Sequence, residues 1–159
     1  KIFERCTKNN IPLKIFQQCL PNQKKTLDIF YNKLKIDYEI FYFSNNILDY
    51  FSKANLAITR SGSSMLAELL NVNIPLISVP LPSSADNHQL KNAIFYQNKG
   101  YSYLIKEKDL NIKLFELIRK INDKRSLLDQ IQKKQKQYSD KSVYKNIDRN
   151  ITEIINEKY

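Results

Sequence analysis

Residues 54–93, ANLAITRSGSSMLAELLNVNIPLISVPLPSSADNHQLKNA, form the stretch that decides the fold. The β-prone apolar run at 55–59 predicts a strand, and the apolar spacing at 65–70 predicts a helix. Between them lies a turn of small residues at 60–64, RSGSS, which separates the two elements. A strand, a tight turn and a helix in this order are typical of a βαβ unit, so the stretch predicts an α/β fold.

A second unit of the same kind follows directly. A strand is predicted at 75–80, then the loop 81–85, LPSSA, and then a helix that opens with the polar tetrad 86–89, DNHQ. Both loops therefore follow the carboxyl ends of predicted parallel strands, where open α/β sheets bind their ligands. We expect a binding site to which both loops contribute.

The turn at 60–64 is suited to hold a phosphate group. The first N–H groups of a helix have no partners within the helix, and the helix dipole adds partial positive charge there. Glu68 follows closely in the same helix, where its carboxylate is placed to accept hydrogen bonds from both hydroxyls of a ribose. The simpler interpretation is that Ser61, Ser63 and Ser64 only cap the helix and that Glu68 is solvated. The second loop favours the binding interpretation.

The α/β pattern extends over most of the chain. Helices are predicted at 2–8, 23–35, 65–70 (extending to 63–72), 87–99 and briefly after 44–46, and further strands at 13–18, 38–43 and 101–105. Asn22 is expected to cap the helix at 23–35, and Gly100 to end the helix at 87–99 in a left-handed conformation. Beyond residue 106, amphipathic helices are predicted at 110–121, 126–138 and 143–155. The sequence thus predicts a Rossmann-like parallel sheet flanked by helices, with a helical carboxyl-terminal portion at about 106–159.

The composition indicates one globular domain. The chain has 159 residues with only two Gly and five Pro and no low-complexity run, which argues against a disordered or linker-rich protein. No apolar run has the length of a membrane span, and no signal-peptide pattern opens the chain. Cys6 and Cys19 lack the spacing of a disulfide framework or a metal site, so we expect free, buried thiols in a reducing compartment.

The basic residues leave several partner classes open. A formal net charge of +10 is compatible with an anionic ligand, an anionic membrane surface or nucleic acid. Arg, the better residue for reading phosphates and base edges, occurs five times against 21 Lys, and the aromatic residues follow no RNA-binding signature. We therefore expect no nucleic-acid partner. We attribute the excess of Lys at 91–145 to solvated helix faces, with an anionic surface patch as the alternative.

Three motifs together resemble a known family. RSG-x4-AEL (60–69), P-x4-P (75–80) and ADNHQ-x2-NA (85–93) are similar to the carboxyl-terminal domain of the MurG family. The resemblance implies a donor-binding domain of an N-acetylglucosaminyltransferase with two Rossmann-like halves, the GT-B architecture. It also implies that residues 1–159 form a single carboxyl-terminal domain of a longer enzyme. The amino-terminal domain, and the first strand and Gly-Gly-Ser loop of this domain, are expected to be missing.

The resemblance also assigns residues to the donor site. It implies that the backbone at Ser44 recognises uracil, that the turn at 62–65 surrounds the diphosphate, and that Glu68 binds the ribose. His88 and Gln89 are expected to contact the N-acetylglucosamine. The substrate-binding set is thus Ser44, Gly62, Ser63, Ser64, Met65, Glu68, His88 and Gln89. Met65 stands where many members have Thr or Ser, and Ser83 where His is common.

The catalytic base and any metal are expected to lie elsewhere. His88, the one histidine of the chain, is a candidate general base, but its position in the family faces the donor sugar while the base lies in the other domain. The sequence has no Asp-x-Asp pair and no metal-ligand cluster, so the departing diphosphate would be stabilised by oriented N–H groups. We predict no metal and no cofactor, and no catalytic residue in these 159 residues, which alone would be inactive.

The resemblance implies an inverting transferase that uses UDP-N-acetylglucosamine to convert lipid I to lipid II in peptidoglycan synthesis. Its acceptor would be bound through the missing domain, at the cytoplasmic face of the bacterial inner membrane, with peripheral attachment to anionic lipid. One alternative is a stand-alone catalytic subunit that makes dolichol-linked chitobiose with a membrane partner. A second alternative is a non-catalytic nucleotide-sugar-binding module.

Overall fold

A computed structural model describes residues 1–44, 46–138, 149 and 152. This described part of the chain contains seven α-helices, namely α1 (Ile2–Lys8), α2 (Lys24–Leu34), α3 (Ile47–Lys53), α4 (Ser63–Asn71), α5 (His88–Asn98), α6 (Leu110–Asp123) and α7 (Ser126–Lys136). The same described residues form five strands, namely β1 (Lys14–Gln18), β2 (Asp37–Phe41), β3 (Ala57–Thr59), β4 (Leu76–Ser78) and β5 (Ser102–Leu104). The elements follow the predicted order. The helix predicted at 143–155 lies outside the described residues, except for 149 and 152.

The strands are all parallel, as predicted, but they form two sheets. β1 pairs with β2, with Lys14 opposite Asp37, and β4 lies between β3 and β5. Within the described residues no ladder joins β1 to β3. The parallel strands agree with the prediction, and the interruption between β1 and β3 is a feature that the sequence analysis did not state. The strands are also shorter than predicted, since a residue counts as strand only where a neighbouring strand completes its hydrogen bonds.

The three-stranded sheet carries apolar side chains on both faces. Successive residues of a strand point to opposite faces, and the neighbours Leu76 and Ile77 of β4 belong to different clusters. Ile77 packs in one cluster with residues of α6 such as Phe115, whereas Leu76 packs in the other with residues of α4 such as Leu69. Helices thus cover both faces of this sheet, as its parallel strands require.

The sequence analysis predicted the residue that ends α5 and the residue that caps the start of α2, and only the first prediction is correct. Gly100 has φ +75°, its N–H donates to the carbonyl of Gln97, and the N–H of Tyr101 donates to the carbonyl of Tyr96. This pair of bonds ends α5 and confirms the predicted left-handed glycine. The predicted cap at Asn22 is wrong, because Asn22 lies inside a short 3-10 turn and α2 begins only at Lys24 without a side-chain cap.

Candidate functional site

The first turn of α4 presents unpaired N–H groups after the end of β3. Gly62 is the residue that caps α4, and no side chain in the described part of the chain bonds to the cap. The N–H groups of Ser63, Ser64 and Met65 belong to the first turn, where a helix offers no carbonyl partner. Ser63 and Ser64 are exposed. This turn can therefore accept an anion, which the helix dipole would further stabilise.

Gly62 leaves open space at this turn. A Cβ built at this residue would have no atom within 4 Å, and the backbone has an ordinary φ of −68°. The conformation thus does not require glycine here. The open space would allow a ligand to approach the backbone of Gly62 closely.

Gln89 joins the two loops that the sequence placed at the carboxyl ends of the strands. Its Oε1 accepts a hydrogen bond from the N–H of Ser61 at 3.2 Å and another from the N–H of Leu81 at 3.0 Å. Ser61 precedes α4, and Leu81 follows β4. The side-chain carbonyl of Gln89 is thus engaged with backbone, and its NH2 group is the part left to donate to a ligand.

Asn92 belongs to the motif ADNHQ-x2-NA, but the sequence analysis assigned it no role. It lies three positions after Gln89 in α5, and its Nδ2 donates to the carbonyl oxygen of Ser61 at 3.1 Å. Residues three apart share a helix face, so the spacing of Gln89 and Asn92 was the available signal. Predicting its partner required the packing of α5 against the turn, which the spacing does not contain.

Glu68 and Met65 have different environments on α4. Glu68 is exposed, and within the described residues its carboxylate makes no ion pair or hydrogen bond, so it is free to accept from a ligand. Met65 is half-buried and packs against the cluster of Leu66, Leu69 and Leu76. The side chain of Met65 thus contributes to the core, and its backbone N–H group is the part that could donate to an anion at the turn.

His88 begins α5 after a turn in an uncommon conformation. Asp86 and Asn87 have φ of 48° and 53°, a left-handed region that Asp and Asn adopt more readily than other non-glycine residues. Nδ1 of the exposed His88 lies 2.8 Å from the carbonyl oxygen of Ala85. Because a carbonyl oxygen only accepts, Nδ1 carries the proton, and Nε2 is left to interact with a ligand.

Ser44 lies after β2, at the carboxyl edge of the two-stranded sheet. It is half-buried, and its Oγ accepts a hydrogen bond from the N–H of Asn46 at 3.1 Å, just before α3. Asn46, not Ser44, is the residue that caps α3. Hydrogen bonds link Ser61 and Leu81 to Gln89, and Ser61 to Asn92. Among the described residues no hydrogen bond links Ser44 to this group.

The charged groups around the turn are few. Arg60 forms an ion pair with Glu107, with 2.5 Å between Nη1 and Oε2, and both side chains are partly exposed. Across the described ranges no three His, Cys, Asp or Glu side chains lie close enough to hold a metal ion. The arrangement offers backbone N–H groups and a helix dipole to an anion, and the amide of Gln89 and the carboxylate of Glu68 to hydroxyl groups.

The sequence pattern of the Glycosyltransferase family 28 C-terminal domain matches residues 1–149. The chain belongs to this family. The resemblance on which the sequence analysis relied is thereby confirmed. Membership in family 28 also agrees with the parallel strands and flanking helices described above.

Two curated relatives of this family 28 chain share one name, UDP-N-acetylglucosamine--N-acetylmuramyl-(pentapeptide) pyrophosphoryl-undecaprenol N-acetylglucosamine transferase. The protein from Pelagibacter ubique is 34% identical, covering 99% of this chain and 46% of its own length. The protein from Rickettsia typhi is 39% identical, covering 76% of this chain and 31% of its own length. The family 28 chain thus spans less than half the length of these relatives.

A solved structure supports the fold. The chain is similar to the crystal structure of Acinetobacter baumannii MurG with a TM-score of 0.75, at 23% sequence identity. The likeness covers 87% of this chain and 41% of that chain. The predicted Rossmann-like architecture of the family 28 domain is thereby confirmed.

Proposed function

We propose that the chain is the donor-binding domain of an inverting N-acetylglucosaminyltransferase that uses UDP-N-acetylglucosamine. The observation that carries the proposal is the uncapped first turn of α4, with open space at Gly62 and with Gln89 joining it to the loop after β4. Such a turn suits a diphosphate, and the neighbouring amide and carboxylate suit sugar hydroxyls. The names of the family 28 relatives favour this donor and favour the bacterial enzyme over the dolichol-linked one.

Each residue has a distinct role in the proposed site. The N–H groups of Ser63, Ser64 and Met65 stabilise the charge that develops on the departing UDP, without a metal. Glu68 accepts hydrogen bonds from the ribose hydroxyls. The NH2 group of Gln89 donates to the N-acetylglucosamine, and Nε2 of His88 contacts the same sugar. In keeping with the family, the backbone at Ser44 would recognise uracil.

We propose further that these residues form the carboxyl-terminal half of a longer enzyme. The relatives' greater length supports this, as does the break between β1 and β3. In the doubly wound strand order 3-2-1-4-5-6, the first strand lies between the second and the fourth. In that numbering β1 and β3 of this chain would be the second and fourth strands, and the missing first strand would lie between them. A longer chain that supplies this strand should slow amide exchange in β1 and β3, and unchanged exchange would contradict the proposal.

The full enzyme would convert lipid I to lipid II in peptidoglycan synthesis and so contribute to cell wall biogenesis, cell shape and division. It would bind the acceptor through its other domain and attach peripherally to anionic lipid at the cytoplasmic face of the inner membrane. No helix in the described part of the chain is long and apolar enough to cross a membrane. The 159 residues alone would bind the donor but transfer no sugar, and measurable transfer to lipid I by this chain would contradict that.

Calorimetric titration with UDP-N-acetylglucosamine tests the donor site. The chain should bind it, and Glu68→Gln should weaken binding by about tenfold, because a carboxylate that accepts from two hydroxyls is lost. Glu116→Gln, an exposed Glu of α6, is the matched control and should bind like the parent chain. Equal binding by the Glu68→Gln variant, or no binding by the parent chain, would contradict the proposed site. Steeply salt-dependent RNA binding that is indifferent to Glu68 would instead favour an interaction module.

A further inference from the structure

A cavity of about 700 Å³ lies where α7 packs over the end of α5 and the start of β5. Its described lining includes Gly100 and Ser102 on one side, and Ile131, Lys133 and Lys134 of α7 on the other. Three glutamine side chains add to this lining, and no Asp or Glu occurs among its described residues. Ligand pockets commonly measure about 300–1,000 Å³, so the cavity has room for a small molecule.

Ser102 brings polar groups without a partner to this cavity. The N–H of Ile105 donates to the carbonyl oxygen of Ser78 in β4. Because alternate residues of a strand direct their backbone groups to opposite sides, the N–H of Ser102 points away from β4, the one described neighbour of β5. The Oγ of Ser102 also lacks a hydrogen-bond partner, although the residue is only 5% exposed. Since buried polar groups are normally satisfied, Ser102 indicates a ligand in the cavity.

The lysines favour an anion as that ligand. Lys133 and Lys134 are exposed, and across the described residues neither ammonium group forms an ion pair or a hydrogen bond. The stem of Lys134 lies over Gly100, with Cγ 3.4 Å from the place that a Cβ would take there. Asp129 lines an adjacent, smaller cavity together with Lys133 but is not paired with it. The positive charge of both lysines is thus available to a ligand.

The cavity is separate from the turn at the start of α4. Parallel strands all begin at one edge of their sheet and end at the opposite edge. Ser102 begins β5, whereas Gly62 follows the end of β3 in the same three-stranded sheet. A ligand in the cavity therefore leaves the N–H groups of α4 accessible to the donor.

We propose that this cavity is a second binding site of the chain, for a small soluble ligand that carries a phosphate group. The ammonium groups of Lys133 and Lys134 and the N–H of Ser102 donate to the phosphate, which offers three acceptor oxygens and more charge than a carboxylate. The side chain of Ile131 contacts the organic part of the ligand. Because Ser102 is recessed, a free ligand can reach it, whereas the headgroups of a flat bilayer cannot. This site is independent of the proposed function.

The two glycines of the chain provide separate reporters for the cavity and for the turn of α4. We would record ¹H–¹⁵N correlation spectra of the labelled 159-residue chain during titration with glycerol 3-phosphate at constant ionic strength. Gly62→Ala and Gly100→Ala each remove one glycine signal and thereby assign it. The amide signal of Gly100 should shift and reach saturation, whatever the response of Gly62.

Substitution of the lysines tests the binding groups. Lys134→Gln should weaken binding by about tenfold, because a charge-assisted hydrogen bond is lost while most of the stem over Gly100 remains. Lys133→Gln should weaken binding by at least about threefold for the same reason. Lys120→Gln is the matched control, since Lys120 is an exposed residue of α6 outside the described lining. This variant removes the same charge and should change the affinity by less than about twofold.

The proposal is overturned if the Gly100 signal does not shift, if it shifts without saturation, or if Lys134→Gln and Lys120→Gln bind alike. A response of Gly62 alone would also overturn it, while leaving the donor site intact. Should Lys134→Gln fail to fold, Lys133→Gln decides by the same comparison with Lys120→Gln. Sedimentation with phosphatidylglycerol vesicles should respond equally to Lys134→Gln and Lys120→Gln. A loss confined to Lys134→Gln would assign the cavity to lipid and contradict a soluble ligand.

Discussion

The side-chain amide of Gln135 donates a hydrogen bond to the carbonyl oxygen of Ile74, 61 positions earlier in the chain, at 2.9 Å. The same Nε2 donates to the carbonyl oxygen of Tyr101, also at 2.9 Å. Gln135 is 1% exposed, so these carbonyl groups are satisfied away from water. Ile74 and Tyr101 precede β4 and β5, and the amide of α7 thus ties the starts of two strands together.

Replacement of Gln135 should therefore destabilise the fold. Gln135→Met keeps a similar volume but removes both hydrogen bonds, which leaves the buried carbonyl group of Ile74 and the half-buried carbonyl group of Tyr101 without this partner. We expect the free energy of unfolding to fall by about 2–4 kcal/mol, because each unsatisfied buried group costs about 1–3 kcal/mol. Urea denaturation followed by circular dichroism measures this. Gln130→Met, at an exposed position of the same helix, should change stability by less than about 0.5 kcal/mol, and equal losses in the two variants would refute the assignment.

Gln89→Glu separates the two functions assigned to the Gln89 side chain. A carboxylate still accepts from the N–H groups of Ser61 and Leu81, but it cannot donate to a sugar hydroxyl. The added negative charge repels the diphosphate of both ligands alike, so the affinity for UDP-N-acetylglucosamine should fall about tenfold further than the affinity for UDP. Competition titrations with the two ligands measure the ratio. A variant that loses UDP and UDP-N-acetylglucosamine equally would show that the NH2 group does not contact the sugar.

The two glycines should respond to alanine in different ways. Gly62 has an ordinary φ and open space around it, so Gly62→Ala should change the free energy of unfolding by less than about 1 kcal/mol. The new methyl group would occupy space beside the turn and weaken UDP binding. Gly100→Ala forces a side chain into φ +75°, with Lys134 Cγ 3.4 Å from the new Cβ, and should cost about 1 kcal/mol or more without affecting UDP. Thermal unfolding and UDP titration of both variants check this, and a Gly62→Ala variant with unchanged affinity would contradict the close approach.

Cys6 should make the stability of the chain sensitive to alkaline pH. Burial raises the pKa of the Cys6 thiol above its ordinary value. In the unfolded chain the thiol ionises at about pH 8.5, whereas in the folded chain it remains protonated to higher pH. The contribution of Cys6 is therefore complete below about pH 8.5 and is lost as the pH rises through the folded value. The stability difference between the parent chain and Cys6→Ala should shrink from pH 7 to pH 10 in urea denaturation, and a difference that stays constant would contradict this.

Much of the fold was predictable because it depends on local patterns. The helices α4 and α5 and the loops before them follow from apolar spacing and from small or polar residues at the ends of predicted strands. Gly100 was predictable because a left-handed helix end strongly favours glycine. The prediction that Asn22 caps α2 was wrong because an Asn before an apolar helix is also compatible with a 3-10 turn. Here a 3-10 turn begins at Pro21 and includes Asn22.

What the sequence alone determined is the alternation of strands and helices, the turn at 62–65, and a family resemblance that the comparisons confirm. Only the tertiary structure decided that the strands form two sheets, and that Gln89 and Asn92 hold the backbone of Ser61. The physical reason is that a helix start or a glycine turn depends on neighbouring residues. A hydrogen bond over 28 or 31 positions depends on how α5 packs against the end of β3, which no local pattern encodes.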